Sequence, residues 1–68
     1  QDVEAAVFLR QDTISTCTGG FRSVDKIDVS QVAAKFGGGG HKNASGMSTD
    51  GKIENLIPLI VKEFTKII

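Results

Sequence analysis

Four consecutive glycines, Gly37 to Gly40, followed at once by His41, are the residues of this sequence best suited to chemistry. Glycine loses more conformational entropy on folding than any other residue, so a run longer than a turn requires indicates a use for the missing side chains. Without Cβ atoms, the main chain can approach a ligand closely, and successive amide groups can point at one anion. We therefore predict that this loop binds a phosphate group.

Polar residues on both sides of the loop strengthen this prediction. His41 supplies a titratable donor, Lys42 a fixed positive charge and Asn43 further amide donors. Arg22, upstream, can hold a phosphate through paired hydrogen bonds. A helical turn over residues 40–44 would add free amides, whereas a strand there would leave only the glycine loop. Because histidine titrates between about pH 5 and 8, phosphate binding through His41 is expected to weaken as pH rises.

A mobile glycine linker, two common nucleotide-binding motifs and a metal site are the alternatives to a phosphate-binding loop. A Walker loop requires G-x-x-x-x-G-K-[ST], whereas Lys42 here follows a histidine and precedes an asparagine. A Rossmann unit requires an acidic residue suitably downstream of a strand-loop-helix start, and none is present. One histidine, one cysteine and scattered carboxylates have no metal-ligand spacing, so no metal is expected here. Of these alternatives, the linker remains open.

Length and composition indicate one small domain, residues 1–68. Eight acidic residues balance eight basic ones, so no overall field directs the chain to nucleic acid or membrane, and any anion site must be local. Cys17 alone cannot form an internal disulfide, and the longest apolar stretch, Leu56 to Val61, is too short to span a bilayer. A cytoplasmic location without membrane contact is expected. The start at Gln1 rather than methionine indicates a fragment of a larger protein or a processed chain.

The hydrophobic pattern predicts an α/β (α+β) fold, a small mixed sheet of about three strands with two packed helices in the order β-β-α-β-α. Alternation from Val3 to Leu9, with both faces partly apolar, predicts an inner strand. Polar residues Gln11 to Thr13 separate it from a second strand, Ile14 to Ser23. Within that strand, Gly19-Gly20 indicates a bulge or a turn. A tight turn from Ala44 leads into the third strand, which ends at Asp50-Gly51.

Two stretches with helical periodicity flank the third strand. The first is short, with Asp28 as its N-cap and Gly37 as a left-handed stop, and it presents one apolar face, formed by Val29, Val32, Ala33 and Phe36. The second is an amphipathic helix that closes the chain, with apolar positions Ile53, Leu56, Ile57, Ile60, Val61, Phe64, Ile67 and Ile68. Pro58 requires this helix either to begin near Asn55 or to kink.

The sequence from Phe21 onward resembles the carboxy-terminal DHH-associated domain of DHH phosphoesterases. The specific features are Phe21-Arg22-Ser23 and the later string G-G-G-G-H-x-x-A-[AS]-G, which runs from Gly37 to Gly46. Ile27-Asp28-Val29-Ser30 and Val32-Ala33 lie between them. The resemblance covers most of the chain from about Val3 and is closest to the oligoribonuclease and phosphoadenosine-phosphate phosphatase branch, whose relatives are often described as exopolyphosphatase-related.

The resemblance implies a substrate-binding domain of a metal-dependent hydrolase. Its substrates would be short oligoribonucleotides, nucleoside bisphosphates or related phosphate esters. An amino-terminal DHH domain of the same protein would hold a manganese pair, so this fragment would contain no catalytic residue and bind no cofactor. The residues that the loop chemistry and the resemblance together assign to the substrate are Arg22, Ser23, Gly37, Gly38, Gly39, Gly40, His41, Lys42 and Asn43.

Two other functions remain open. Related domains appended to alanyl-tRNA synthetases imply a non-catalytic RNA-binding module, although His41 and Ala44-Ser45-Gly46 argue against that branch. A structural or dimerisation domain would show no response to nucleotides. The family domain normally begins further upstream, so one apolar face of the sheet is expected to lack its cover, which favours a homodimer.

Overall fold

Two β-hairpins and two helices make up the part of the chain that the computed structural model describes, residues 4–67. The elements are β1 Ala5–Thr13, β2 Thr16–Ser23, α1 Ser30–Lys35, β3 Gly39–His41, β4 Ala44–Asp50 and α2 Ile53–Ile67. The α+β class is confirmed. One strand more than expected is present, because residues 39–41 pair with β4. Val3 and Ile68, assigned above to the first strand and the last helix, lie outside the described residues.

The sheet has the strand order β1-β2-β4-β3, and every neighbouring pair is antiparallel. It is therefore not the mixed sheet that the sequence suggested. Both β1–β2 and β3–β4 are hairpins, which join antiparallel strands by definition. β1 lies at an edge, so its assignment as an inner strand is wrong. Its second apolar face consists of Ala6 and Phe8, which are exposed to solvent.

The first hairpin differs from its predicted boundaries. β1 continues through the polar residues to Thr13, and Ile14-Ser15 form the turn rather than the start of β2. Gly19 and Gly20 pair without interruption with both neighbouring strands, so neither a bulge nor a turn occurs there. The irregularity lies instead between Gln11 and Thr13.

Gln11 connects this hairpin to the start of α2. Its Nε2 donates to the carbonyls of Thr13, Thr16 and Gly51 at 2.8–3.0 Å. Its Oε1 accepts a hydrogen bond from the amide of Ile53 at 2.9 Å. Because the first amides of a helix lack intrahelical partners, this contact caps α2.

Both helices pack on one face of the sheet. The buried core joins side chains of β2 and β4 to both helices and the segment before α1, and it consists of Cys17, Phe21, Ile27, Val29, Val32, Ala33, Met47, Leu56 and Ile60. The alternation of strand side chains sends Arg22 and Gly20 to the opposite face. Among the described residues no element covers that opposite face, which we call the open face.

The apolar face predicted for α1 is confirmed, since Val29, Val32 and Ala33 are buried and Phe36 packs against them. The helix begins at Ser30, and Val29 occupies the N-cap position without a capping side chain. Asp28, one residue earlier, accepts a 3.0 Å hydrogen bond from the Ser30 amide and another from the Ser30 hydroxyl. Asp28 therefore caps α1, although it lies one residue before the N-cap position that the sequence predicted for it.

α2 begins at Ile53 and contains Pro58 in its second turn, so the start near Asn55 is wrong. Leu56 and Ile60 are buried, whereas Ile57 and Val61 are about half exposed. Ile57, Ile60 and Val61, together with residues of β1, line an apolar groove of about 720 Å³ at this edge of the sheet. Apolar surface is therefore exposed in this groove and, on the open face, at Phe8. Self-association through an apolar face stays a prediction.

Acid should weaken the start of α1. Hydrogen bonds from the Ser30 hydroxyl first, then from the Ser30 amide and the Gln31 side chain, together with the charge of Lys42, hold the pKa of Asp28 below its ordinary value. A carboxylate with a lowered pKa stabilises the fold above its ordinary pKa of about 3.9, and this contribution is lost as pH falls through the lowered pKa. Asp28→Asn should therefore be less stable than wild type at pH 7, and the difference should shrink below about pH 4.

The measurement is the free energy of unfolding in urea as a function of pH. Asp50→Asn is the matched control, because Asp50 is an exposed carboxylate without a side-chain hydrogen bond among the described residues. An Asp28→Asn difference that stays constant down to about pH 2.5, well below the ordinary carboxyl pKa, would contradict the assignment of this carboxylate as the cap.

Candidate anion-binding face

The strand register places Arg22 and His41 in one row on the open face. Ala44 of β4 pairs with Arg22 on one side and with His41 on the other. Paired residues in a sheet point to the same face, so all three side chains project into solvent together. Two strand spacings separate the Cα atoms of Arg22 and His41 by about 10 Å. Between them stands only the methyl group of Ala44.

Both basic side chains in this row are available to a ligand. Arg22 and His41 are exposed, and within residues 4–67 neither side chain has a hydrogen-bond or ion-pair partner. Arg10, on the same face but further along the sheet, instead donates to Asp12 through Nε at 2.7 Å. The guanidinium of Arg22 and the imidazole of His41 are therefore the groups of this face best placed to receive an anion.

A row without side chains lies next to the basic row. Gly46 of β4 pairs with Gly20 of β2 and with Gly39 of β3. On the far side, Phe8 of β1 pairs with Gly20. Three adjacent strands thus contribute only backbone, which forms a shallow floor beside Arg22 and His41.

Gly37 and Gly38 serve the fold, because they end α1. Gly37 has φ +80° and donates to the carbonyl of Ala34, while Gly38 donates to the carbonyl of Ala33 at 2.8 Å. This is the hydrogen-bond pattern of a Schellman cap. A Cβ on Gly38 would also collide with the carbonyl oxygen of Gly46. The left-handed stop predicted at Gly37 is confirmed.

Gly40 also serves the fold, but Gly39 does not. Gly40 has φ +144°, and a Cβ there would lie 2.7 Å from Cα of Ser45. Gly39 has no atom within 4 Å of its added Cβ, which would point into open solvent. Of the four positions in the run, Gly39 is therefore the one where neither a positive φ nor a neighbouring atom requires glycine.

The glycine run is divided between a helix cap and a strand, rather than forming one anion-binding bend. The amides of Gly37 and Gly38 donate within the helix cap, and Gly39 and Gly40 pair with β4, so the four amides do not converge on one anion. Of the two alternatives for residues 40–44, a helical turn or a strand, the structure has strands: β3 ends at His41 and β4 begins at Ala44. The tight turn predicted from Ala44 lies instead at Lys42-Asn43, a two-residue hairpin turn.

Ser23 and Asn43 have partners within the domain. The hydroxyl of Ser23 donates to the carbonyl of Ile27 at 2.6 Å and accepts from Nδ2 of Asn43 at 3.0 Å. The same amide contacts the carbonyls of Asp25 and Ile27 at 3.3–3.4 Å. By strand alternation Ser23 faces away from Arg22. In this structure both residues hold the segment before α1 against the β3–β4 turn.

Lys42 lies at the tip of this turn with an exposed side chain. Its carbonyl accepts a 2.8 Å hydrogen bond from the amide of Val29, which ties the turn to the start of α1. Its charge contributes to the lowered pKa of Asp28. Lys42 is thus adjacent to His41 in sequence, with its backbone bound to the start of α1 and its side chain in solvent.

The described residues do not fit a metal pair. Within residues 4–67, no three histidine, cysteine or carboxylate side chains form a cluster that could hold a metal ion. Cys17 is buried in the core, where its thiol contacts the carbonyl of Gly51 at 3.2 Å.

No helix within residues 4–67 has both the length and the hydropathy to cross a membrane.

The whole sequence, residues 1–68, matches the family described as the DHHA1 domain. The chain belongs to the DHHA1 family. It is also 53% identical over 34 residues to an uncharacterized protein of Acanthamoeba polyphaga mimivirus. That match covers 50% of this chain and 8% of the viral protein. DHHA1 domains are associated with DHH-family phosphoesterases, which agrees with the resemblance found in the sequence.

One exposed residue of the open face of this DHHA1 domain was not singled out by sequence reasoning. Phe8 was assigned only to the alternation of β1, yet its side chain is 61% exposed. The signal that could have identified it is its position in a strand with apolar residues on both faces. A strand at a sheet edge, covered on one face only, leaves such a side chain in solvent.

The glycines of this DHHA1 domain should separate into two classes in a stability measurement. Gly40→Ala should lower the free energy of unfolding by about 1–3 kcal/mol, because the new side chain meets Ser45 at an unfavourable φ. Gly39→Ala should change it by less than about 0.5 kcal/mol, because its Cβ enters open space. Urea denaturation followed by circular dichroism measures both. Equal losses in the two variants would refute this division.

Proposed function

We propose that this domain holds the phosphate of a nucleotide or short oligoribonucleotide for hydrolysis by a DHH phosphoesterase of the oligoribonuclease and phosphoadenosine-phosphate phosphatase branch. The observation that carries the proposal is the row formed by Arg22, Ala44 and His41, with both basic side chains exposed and unpaired among the described residues. Membership of the DHHA1 family supports the association with a phosphoesterase.

The chemistry of the two side chains suits a phosphate between them. A guanidinium presents a planar fork of donors that matches two phosphate oxygens, and a protonated imidazole adds a charged donor. The small side chain of Ala44 leaves the space above it open. Gly39, next to the row, lets the backbone approach the same ligand. Because the chain has a net charge of zero, attraction depends on this local arrangement rather than on an overall field.

In this proposal the domain positions the substrate and another part of the enzyme cleaves it. Residues 4–67 contain no cluster of metal ligands, so we assign the manganese pair that the resemblance implies to an amino-terminal DHH domain. Holding the phosphate in a fixed place accelerates a reaction by converting an encounter between two molecules into a step within one complex. The open face would then line the cleft between the two domains.

Arg22 should contribute far more to nucleotide binding than Arg10, although both lie on the open face. Arg22→Ala should weaken binding of adenosine 5′-monophosphate by about 10- to 100-fold, since hydrogen bonds to charged groups contribute roughly 1.5–3 kcal/mol. Arg10→Ala should change it by less than about 3-fold, because Arg10 is already paired with Asp12. His41→Ala should weaken it as well, because the imidazole is the second hydrogen-bond donor of the row. Amide chemical shifts in a nucleotide titration measure all three.

Arg10→Ala is the matched control for charge, because it removes the same group from the same face. Similar losses from Arg10→Ala and Arg22→Ala would show that the nucleotide responds only to general positive charge. Unchanged binding in Arg22→Ala or in His41→Ala would remove that residue from the site.

A further inference from the structure

Phe8 is the one large apolar side chain on the open face within the described residues. The other positions of this face in β1–β4 carry small, polar or charged residues. A single exposed aromatic ring among such residues does not form the contiguous apolar patch that a protein partner requires. It does offer a flat aromatic surface on which one planar ring of a ligand can stack.

The ring of Phe8 lies over Gly20. A Cβ atom added to Gly20 would be 3.2 Å from Cδ2 of Phe8. The row continues from Gly20 to Gly46 and Gly39, so nothing larger than backbone stands beside the ring along it. One side of the aromatic surface is therefore supported by the sheet, and a planar ligand can reach the rest.

The ring also lies close to the basic row. Phe8 pairs with Gly20, and Arg22 is the next residue of β2 on the same face. Diagonal neighbours of this kind in an antiparallel pair are about 7–8 Å apart. One nucleotide is large enough to place a base against Phe8 while its phosphate lies at Arg22. His41 follows on the other side of Ala44.

We propose that Phe8 is the base-stacking residue of this site, and that the ligand is a nucleotide or short oligonucleotide rather than an inorganic polyphosphate. The inference rests on the proposed function, because it takes the phosphate to lie at Arg22 and His41. Aromatic side chains stack on nucleic-acid bases with little preference for sequence, since every base has a π face. The pairing of one ring with two basic groups fits a ligand that has both a base and phosphates.

The test compares a ligand that has a base with one that lacks it. The chain and its Phe8→Leu variant are titrated with adenosine 5′-monophosphate and with ribose 5-phosphate, and binding is followed by amide chemical shifts. Phe8→Leu should weaken binding of the adenosine nucleotide by about 5- to 100-fold, the range expected for loss of one stacked base. It should leave binding of ribose 5-phosphate within about 2-fold of wild type, and Phe8→Tyr should retain both, because stacking acts on the base alone.

The outcomes separate this inference from the proposed function. Equal affinity of wild type for the two ligands, or equal weakening of both by Phe8→Leu, overturns the stacking role. Loss of both ligands in Arg22→Ala would then still support the phosphate site. If Arg22→Ala and His41→Ala leave ribose 5-phosphate binding unchanged, the proposed function itself fails. Because Phe8 is exposed, unfolding of Phe8→Leu is not expected, and unperturbed shifts of the core amides would verify that.

Discussion

The position of β4 between β2 and β3 is the constraint on which the site depends. Ala44 pairs with Arg22 in one direction and with His41 in the other, although the last two residues are far apart along the chain. Because side chains in a sheet alternate between faces, a slip of one residue in either pairing would send one of the two basic groups into the helix-covered layer. The register is fixed by the core residues Phe21 and Met47, whose burial requires the opposite orientation of Arg22 and Gly46.

The connection between β2 and β4 enforces that register from outside the sheet. α1 ends in a Schellman cap at Gly37 and Gly38, and the chain enters β3 directly after this cap. Asn43 and Ser23 fasten the β3–β4 turn to the segment before α1. Residues that resemble ligand donors in the sequence thus act as supports of the site, while the groups left free are those of the open face.

Much of this architecture could be predicted from local patterns. The apolar spacing of Val29, Val32 and Ala33 and the stop at Gly37 defined α1, because helix periodicity and left-handed caps are short-range properties. The edge position of β1 and the pairing of Gly39 with β4 depend on which strands come together in the sheet. Local sequence patterns do not contain this information. For the same reason the sequence suggested Arg22 and His41 as partners in chemistry, but their shared row required the sheet register.

The division of the glycine run also required the structure. In the sequence, residues 37–40 are four equivalent glycines. The conformational entropy that each loses on folding suggested that the whole run forms one ligand-binding bend. In the fold, backbone dihedral angles and neighbouring atoms account for Gly37, Gly38 and Gly40, whereas the fold itself does not require glycine at position 39. The same reasoning explains why a role for Phe8 could not be predicted, since exposure of an apolar residue becomes visible only when the faces of the sheet are assigned.

The most direct test of the phosphate site is a crystal structure of the chain with adenosine 5′-phosphorothioate. Anomalous scattering from its sulfur atom locates the phosphorothioate group. The account predicts an anomalous peak on the open face above Ala44, within hydrogen-bonding reach of the Arg22 guanidinium and the His41 imidazole. A peak in the groove between β1 and α2, or bound nucleotide with neither side chain in contact with its phosphorothioate, would contradict it.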